Sequence, residues 1–290
     1  MIFPTTQNEI QESFDRRYES FVKQFSDLEK IIKFIVESVN LSSQADYVIC
    51  FMLLEVIEDF NSVFLLCRNG LSRSAMKILR SQFEHTVTLA YLQKNQDEMN
   101  LFINWYDMNQ HKLFMRLEEA FPQMRKDSTY LKKKSVIEEN YKNIKKQELF
   151  RDKSKEMCDE CKNKVCKKCK ENFGKEVTKR SWSKDIISMA REAGISAKST
   201  YFAYALPLTE AHPSLHSINR RINVVDNSVE HNPIDYKEES QILLQSHYLH
   251  LHSLETYSKY FLSEKEEIFS KLKLAGDSFT AIWEPYFTKQ

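Results

Sequence analysis

Four cysteines within twelve residues are the side chains whose types and spacing most clearly indicate chemistry. Their pattern, C-x2-C-x4-C-x2-C, forms two pairs, each able to present two thiolates to one side. Two such pairs can close a tetrahedral Zn²⁺ site, and the flanking lysines favour the thiolate form. Because four thiolates leave no coordination position open, we expect the zinc to be structural. The predicted ligands are Cys158, Cys161, Cys166 and Cys169.

Two other uses of these cysteines stay open. An iron–sulfur cluster also takes four thiolates, although the spacing differs from both ferredoxin patterns. Disulfides would need an oxidising compartment. The chain begins without the basic and apolar regions of a signal peptide, so we expect a reduced, cytoplasmic protein. Cys50 and Cys67 lie in an apolar run and are predicted to be core residues.

The segment around the cysteines is strongly basic. Residues 121–181 carry 19 Lys and Arg against 10 Asp and Glu, a net charge of +9. The whole chain carries +1, so the remaining residues carry −8. A basic segment on an acidic remainder indicates a polyanionic partner such as RNA. A solvated, lysine-rich surface insertion would explain the same charge.

A second group of reactive side chains lies on a predicted helix, in the sequence Arg80-Ser-Gln-Phe-Glu84-His85. Its R-x4-H spacing resembles the motif of the HEPN superfamily, whose members are small helical bundles and in many cases metal-independent ribonucleases. The resemblance implies that Arg80 binds the scissile phosphate and that His85 acts as general acid or base. It also implies a homodimer, in which two motifs meet.

Helical geometry offers competing interpretations of the same residues. Arg80 and Glu84 are four positions apart and share a face, whereas His85 lies about 140° around the helix from Arg80. The Arg80–Glu84 pair could therefore be an ordered ion pair between bundle helices, or it could line a pocket.

A third group follows much later in the chain. Arg80-x3-Glu84, followed by Tyr204-x4-Thr209-x2-His212, resembles a bacterial all-helical domain family of unknown function. The resemblance covers most of the chain outside the cysteine segment and implies a fold but no activity. The candidate catalytic residues are Arg80, Glu84, His85 and His212, and the candidate substrate-binding residues are Tyr204, Thr209, Ser214 and His216.

Pro213 should end or bend the helix directly after His212, placing His212 and Ser214 at a helix terminus. There His212, with Glu210, could polarise a water molecule or bind a phosphate. A core histidine hydrogen-bonded to a tyrosine or carboxylate is the alternative.

The composition predicts an all-α fold, a multi-helix bundle with a central lysine-rich, four-cysteine zinc-binding insertion. Only four glycines and six prolines are present, which favours long helices with few connections. The apolar stretch 45–67 carries too many acidic residues to span a membrane. We expect N-terminal bundle helices over 1–125, the basic insertion over 126–181, and C-terminal bundle helices over 182–290. Residues 223–236 are predicted to be a loop.

Three functions follow from these patterns. The first is an RNA-acting, ribonuclease-type effector of stress or phage defence, with RNA drawn in by the basic segment. The second is a non-enzymatic interaction or sensor module that recruits a partner protein. A third is small-molecule binding among Tyr201, Tyr204, Trp105 and Tyr106.

Overall fold

A computed structural model of the chain describes residues 6–146, 185–211, 222–225, 228–231 and 236–287. These residues form helices and one two-stranded hairpin, which confirms the predicted all-α class. They divide into two compact units, 1–96 with 185–290, and 97–184. The helices are α1 (Gln7–Arg17), α2 (Glu19–Glu37), α3 (Gln44–Arg68), α4 (Ser72–Lys94), α5 (Met99–Ala120), α6 (Ser128–Lys146), α7 (Ile186–Ala193), α8 (Ala197–Thr200), α9 (Leu206–Ala211), α10 (Tyr236–Phe261) and α11 (Glu266–Phe287).

Local sequence signals fix both ends of α3. At its start the Ser43 hydroxyl accepts a hydrogen bond from the Asp46 amide at 3.1 Å, and the Asp46 carboxylate accepts one from the Ser43 amide at 2.9 Å. This reciprocal pair satisfies amides that have no partner within the helix. After α3 the chain turns at Gly70, whose φ of +73° favours glycine, and α4 begins at Ser72.

The structure settles one detail of the N-terminal helices and corrects the loop predicted over 223–236. The N-terminal helical region is two helices, separated at Tyr18. The predicted loop over 223–236 is wrong, because β1 (Ile222–Val225) and β2 (Ser228–His231) pair antiparallel, with Ile222 opposite His231. Polar residues in both strands hid the pattern, since a pair of four-residue strands is too short for alternation to stand out.

The α1–α2 joint is tied to α10 by polar contacts. The Arg17 guanidinium lies 2.9 Å from the Glu239 carboxylate, and the Tyr18 hydroxyl lies 2.8 Å from that of Ser240. Burial raises the pKa of Glu239 to about 7, although Arg17 and the Tyr18 hydroxyl act in the opposite direction. The joint therefore has a specific partner on α10.

The core of the first unit lies where α3, α4 and α10 pack against one another. Helix α10 contributes unusually polar residues to it. The His250 ring is fully buried and stacks on Phe60 with ring centroids 4.2 Å apart. His247 is also buried and accepts a hydrogen bond from the Trp283 indole at 3.0 Å. Burial lowers the pKa of each histidine to about 3, so both are neutral packing residues.

The second unit contains α5 and α6, which share the apolar cluster of Leu101, Met108 and Ile144. The carboxylate of Glu118, on α5, is buried and accepts a hydrogen bond from the Lys134 ammonium on α6. Among the helices that the structure describes, none has an apolar stretch long enough for a membrane crossing.

Two hydrogen-bonded pairs fix the register of α4 against α10. The Gln82 amide donates to the Ser246 carbonyl at 3.0 Å and accepts from the Ser246 hydroxyl at 2.6 Å. One turn further along α4, and about two turns further along α10, the Ser253 hydroxyl donates to the Thr86 hydroxyl at 3.0 Å. These groups are buried, so a shift of either helix would leave polar atoms without partners.

Replacing Gln82 with methionine should therefore lower the free energy of unfolding by about 1–3 kcal/mol, because both bonds to Ser246 are lost at constant side-chain length. Urea denaturation followed by circular dichroism measures this. Lys77→Met, at an exposed position of α4, is the matched control and should change stability by less than about 0.5 kcal/mol. Equal stabilities of the two variants would contradict the registering role.

Candidate functional site

Three of the candidate residues meet beside α4. The Arg80 Nε atom donates to the Glu84 carboxylate at 3.0 Å, and the Arg80 Cζ atom lies 5.3 Å from the centroid of the Tyr204 ring. That ring also stacks on Phe83, with centroids 5.5 Å apart. Side chains distant in the sequence thus form one surface of cation, carboxylate and aromatic ring. The Arg80 and Glu84 side chains are 29% and 42% exposed.

A helical irregularity brings Tyr204 to this position. Residues Tyr201–Ala205 form a π-helix, which leads directly into α9 and its Pro207. Proline lacks an amide proton and its ring crowds the preceding turn, so a widened turn before it relieves the conflict. The π-helical turn thus lies before Pro207 within a continuous helical segment. Such turns are frequent at functional sites, because they re-aim side chains.

His85 points to a different partner. Its Nδ1 atom lies 2.9 Å from the Asp59 carboxylate on α3, and the two side chains are 27% and 15% exposed. Partial burial disfavours a charged imidazole. The hydrogen bond that the ring donates to Asp59 and the negative charges of Asp59, Glu55 and Glu84 outweigh this effect, so the pKa of His85 is raised above its ordinary value. The ring is thus held by a carboxylate and biased toward imidazolium.

No direct contact between Arg80 and His85 is found among the described residues, and Glu84 interacts with both. Its carboxylate binds Arg80, and its charge contributes to the raised pKa of His85. Three groups around it keep hydrogen-bonding capacity unused by any described residue: the terminal nitrogens of Arg80, the Nε2 atom of His85 and the hydroxyl of Tyr204. A ligand could hydrogen-bond with all three kinds of group.

The other candidate residues are only partly covered by the structure. Thr209 lies on α9, with its backbone described. His212, Ser214, His216 and the four zinc-ligand candidates Cys158, Cys161, Cys166 and Cys169 lie outside the described residues. Within the described ranges, no group of three or more His, Cys, Asp or Glu side chains could hold a metal ion. Cys67 is buried as predicted, and Cys50 is half-buried.

The functional residue that sequence reasoning missed is Asp59. Asp59 could have been identified as the partner of His85, because the tight turn at Gly70 predicts antiparallel packing of α3 and α4. In such a hairpin, residues at equal distances from the turn face one another, and Asp59 and His85 each lie 13 residues from Ser72.

A family model described as a family of unknown function (DUF5677) matches residues 46–230 of the chain. The matched region begins in α3 and ends in β2, so it contains Asp59, Arg80, Glu84, His85 and Tyr204. No curated protein and no solved structure matches the chain.

The Asp59–His85 pair should make the stability of the folded protein depend on pH in a definite direction. Because the folded pKa of His85 is raised, the pair's stabilisation is fully present below the unfolded pKa of about 6.5 and is lost as pH rises through the folded value. Asp59→Asn should lower the His85 titration midpoint in NMR and flatten this part of the stability–pH curve. Asp15→Asn, at the separate pair with Arg68, is the control. An unchanged His85 midpoint in Asp59→Asn would contradict the assignment.

Proposed function

The chain belongs to the family of unknown function DUF5677, which supplies no activity, and we propose from the site itself that the protein is an RNA-acting, ribonuclease-type effector, of a kind used in stress or phage defence. The observation that carries the proposal is the Asp59–His85 pair near Arg80, a guanidinium whose terminal nitrogens bond to no described residue.

The reaction that these groups suit is cleavage of the RNA backbone without a metal ion. The 2′-hydroxyl gives its proton to solvent water and attacks the adjacent phosphorus, a 2′,3′-cyclic phosphate forms as the bond from phosphorus to the 5′-oxygen breaks, and the 5′-oxygen leaves with a proton from the protein. His85 as imidazolium would donate that proton from Nε2, while Asp59 holds Nδ1 and orients the ring. Arg80 would bind the non-bridging oxygens with its terminal nitrogens and stabilise their charge in the transition state.

Tyr204 supplies the aromatic face on which an unpaired base could stack, and single-stranded RNA is recognised in this way. In this proposal Glu84 orients Arg80, and Thr209, His212, Ser214 and His216 extend the substrate-binding surface. The HEPN resemblance adds a homodimer, in which two such sites would meet.

Charge sets a condition on the proposal. Glu55, Asp59 and Glu84 surround His85 and would repel phosphates nearby. The attraction for RNA would therefore come from the basic segment 121–181, whose net charge is +9. RNA binding should accordingly weaken steeply with salt.

Expression of the wild type and of three variants tests this function. Arg80→Ala and His85→Gln should abolish growth arrest in cells and slow cleavage of a labelled RNA in EDTA by at least about 100-fold. Lys77→Ala, exposed on the same helix, should behave like the wild type. Wild-type protein that leaves RNA intact, or variants that cleave at the wild-type rate, would refute the proposal.

An interaction module is the second candidate, and one observation favours it. Helix α3 exposes large apolar side chains along one face, three of them four and three residues apart and a fourth about three turns further on. Tyr47 and Phe51 are each 60% exposed, Leu54 is 45% exposed and Leu65 is 53% exposed. In the same cell assay, Phe51→Ser would abolish the growth effect under this alternative, while Arg80→Ala would leave it intact.

The cysteine segment adds a structural zinc to the proposal. Four thiolates in two chelating pairs match the donor set that Zn²⁺ prefers, and a reducing, cytoplasmic compartment would keep them available. The flanking lysines offset the negative charge of a zinc tetrathiolate centre. Zinc would order the basic segment without taking part in the reaction.

Cys161→Ser should remove zinc, measured by elemental analysis of the purified protein. It should raise hydrogen exchange within residues 150–180 and leave the circular dichroism of the helices nearly unchanged. Cys50→Ser is the control and should keep the metal. Iron with inorganic sulfide, absence of zinc in the wild type, or global unfolding of Cys161→Ser would contradict the proposal.

A further inference from the structure

One face of α10 lines two adjoining cavities between α10 and α11, with volumes of about 540 Å³ and about 370 Å³. Tyr248 and Phe279 line both, so the cavities adjoin at these two residues, and the two cavities together are called the α10–α11 groove. Each volume lies within the usual range for small-molecule sites. The groove shares no lining residue with the Arg80 site, so the inference drawn from it is independent of the proposed function.

The groove contains hydrogen-bonding side chains with unmet capacity. They are Gln241, Gln245, Tyr248 and His252, spaced four, three and four residues apart, so they lie in one stripe along α10. Within the described part of the chain, no partner is found for the Gln241 Nε2, Gln245 Oε1 and His252 Nε2 atoms, which are shielded from solvent. The Tyr248 hydroxyl likewise bonds to no described residue.

Gln245 is the most informative of these residues, because it is only 3% exposed. Buried amides in folded proteins are almost always hydrogen-bonded, and an unpaired one is costly. Burial also lowers the pKa of His252, so its ring is neutral and offers one donor and one acceptor. The stripe is thus matched to a ligand with several uncharged hydrogen-bonding groups.

A glycine on the opposite wall gives a second, independent indication. Gly276 lies in the interior of α11, where glycine is a poor helix former. Its φ is not positive, and a Cβ atom added there would meet no atom within 4 Å. Neither a turn nor close packing therefore requires glycine at this position. Gly276 lines the larger cavity at an exposed position, so the missing side chain leaves the mouth of that cavity open.

We propose that the α10–α11 groove binds an uncharged purine nucleoside, with adenosine as the best match. A glutamine amide can pair with both the N6 and N7 positions of adenine. Gln245 lines the smaller cavity, and its Oε1 atom, which has no described partner, would accept a hydrogen bond from N6. The rings of Tyr248 and Phe279, between the two cavities, provide faces for stacking of the base.

The larger cavity suits the ribose. Its lining includes the carboxylates of Glu255 and Asp277, which can accept hydrogen bonds from adjacent ribose hydroxyls. Among its described lining residues Lys273 is the only lysine or arginine, and the charged side chains of that lining sum to −1. Glu255 is paired with Lys259 at 2.7 Å, so Asp277 is the carboxylate that would repel a phosphate group and favour a nucleoside over a nucleotide.

Isothermal titration of the full chain with adenosine and with AMP tests the proposal. We expect adenosine to bind, and AMP to bind at least about tenfold more weakly. Gly276→Leu, which fills the larger cavity, and Gln245→Met, which removes the amide at constant length, should each weaken adenosine binding by about tenfold or more. Gly276→Ala adds one methyl group in open space and should bind within about threefold of the wild type.

Circular dichroism and thermal melting identify any variant that fails to fold. Because Gly276→Ala and Gly276→Leu both improve helix propensity, these two should keep the wild-type fold. The proposal is overturned if adenosine does not bind the wild type at millimolar concentration, if AMP binds as tightly as adenosine, or if folded Gly276→Leu binds adenosine as the wild type does.

Discussion

The structure of the first unit depends on the packing of one polar helix, α10, into its interior. Apolar contacts are non-directional, so they define the register of a helix less sharply than hydrogen bonds do. Alongside its apolar residues, helix α10 buries serines, a glutamine and histidines. Its bonds from Ser246 to Gln82 and from Ser253 to Thr86 are satisfied in one register only. This constraint orders the helices on every side of α10.

Both candidate sites follow from that register. On one side, α10 holds α4 against α3, so that His85 meets Asp59, and against the π-helix, so that Arg80 meets Tyr204. On the other side, α10 faces α11 across the groove that contains Gln245 and Gly276. In the first site the charges are paired within the protein. In the second the hydrogen-bonding atoms are not paired, which is why the groove indicates a ligand more directly.

Much of the fold could be predicted from particular residues. Ser43 and Gly70 mark the ends of α3 because their side-chain chemistry and backbone freedom act locally, and the few glycines and prolines indicated long helices. The family resemblance, based on Arg80, Glu84 and Tyr204, is confirmed by the family match, and these side chains do meet. The Asp59–His85 pair was missed because it depends on which residues of two helices face each other. The β hairpin was missed because its pairing lies between two strands too short to carry a pattern.

The π-helix at Tyr201–Ala205 affects how similar chains can be recognised. A π-helical turn accommodates one residue more than an α-helical turn, so side chains beyond it are rotated by about 100° relative to an uninterrupted α-helix. Loss of one residue within this turn would restore the regular helix and bring a neighbouring side chain, instead of Tyr204, over the guanidinium. The number of residues between Tyr204 and the positions after it can therefore change by one without loss of the helix. Searches that permit a one-residue gap at this point would find chains that a rigid spacing rule excludes.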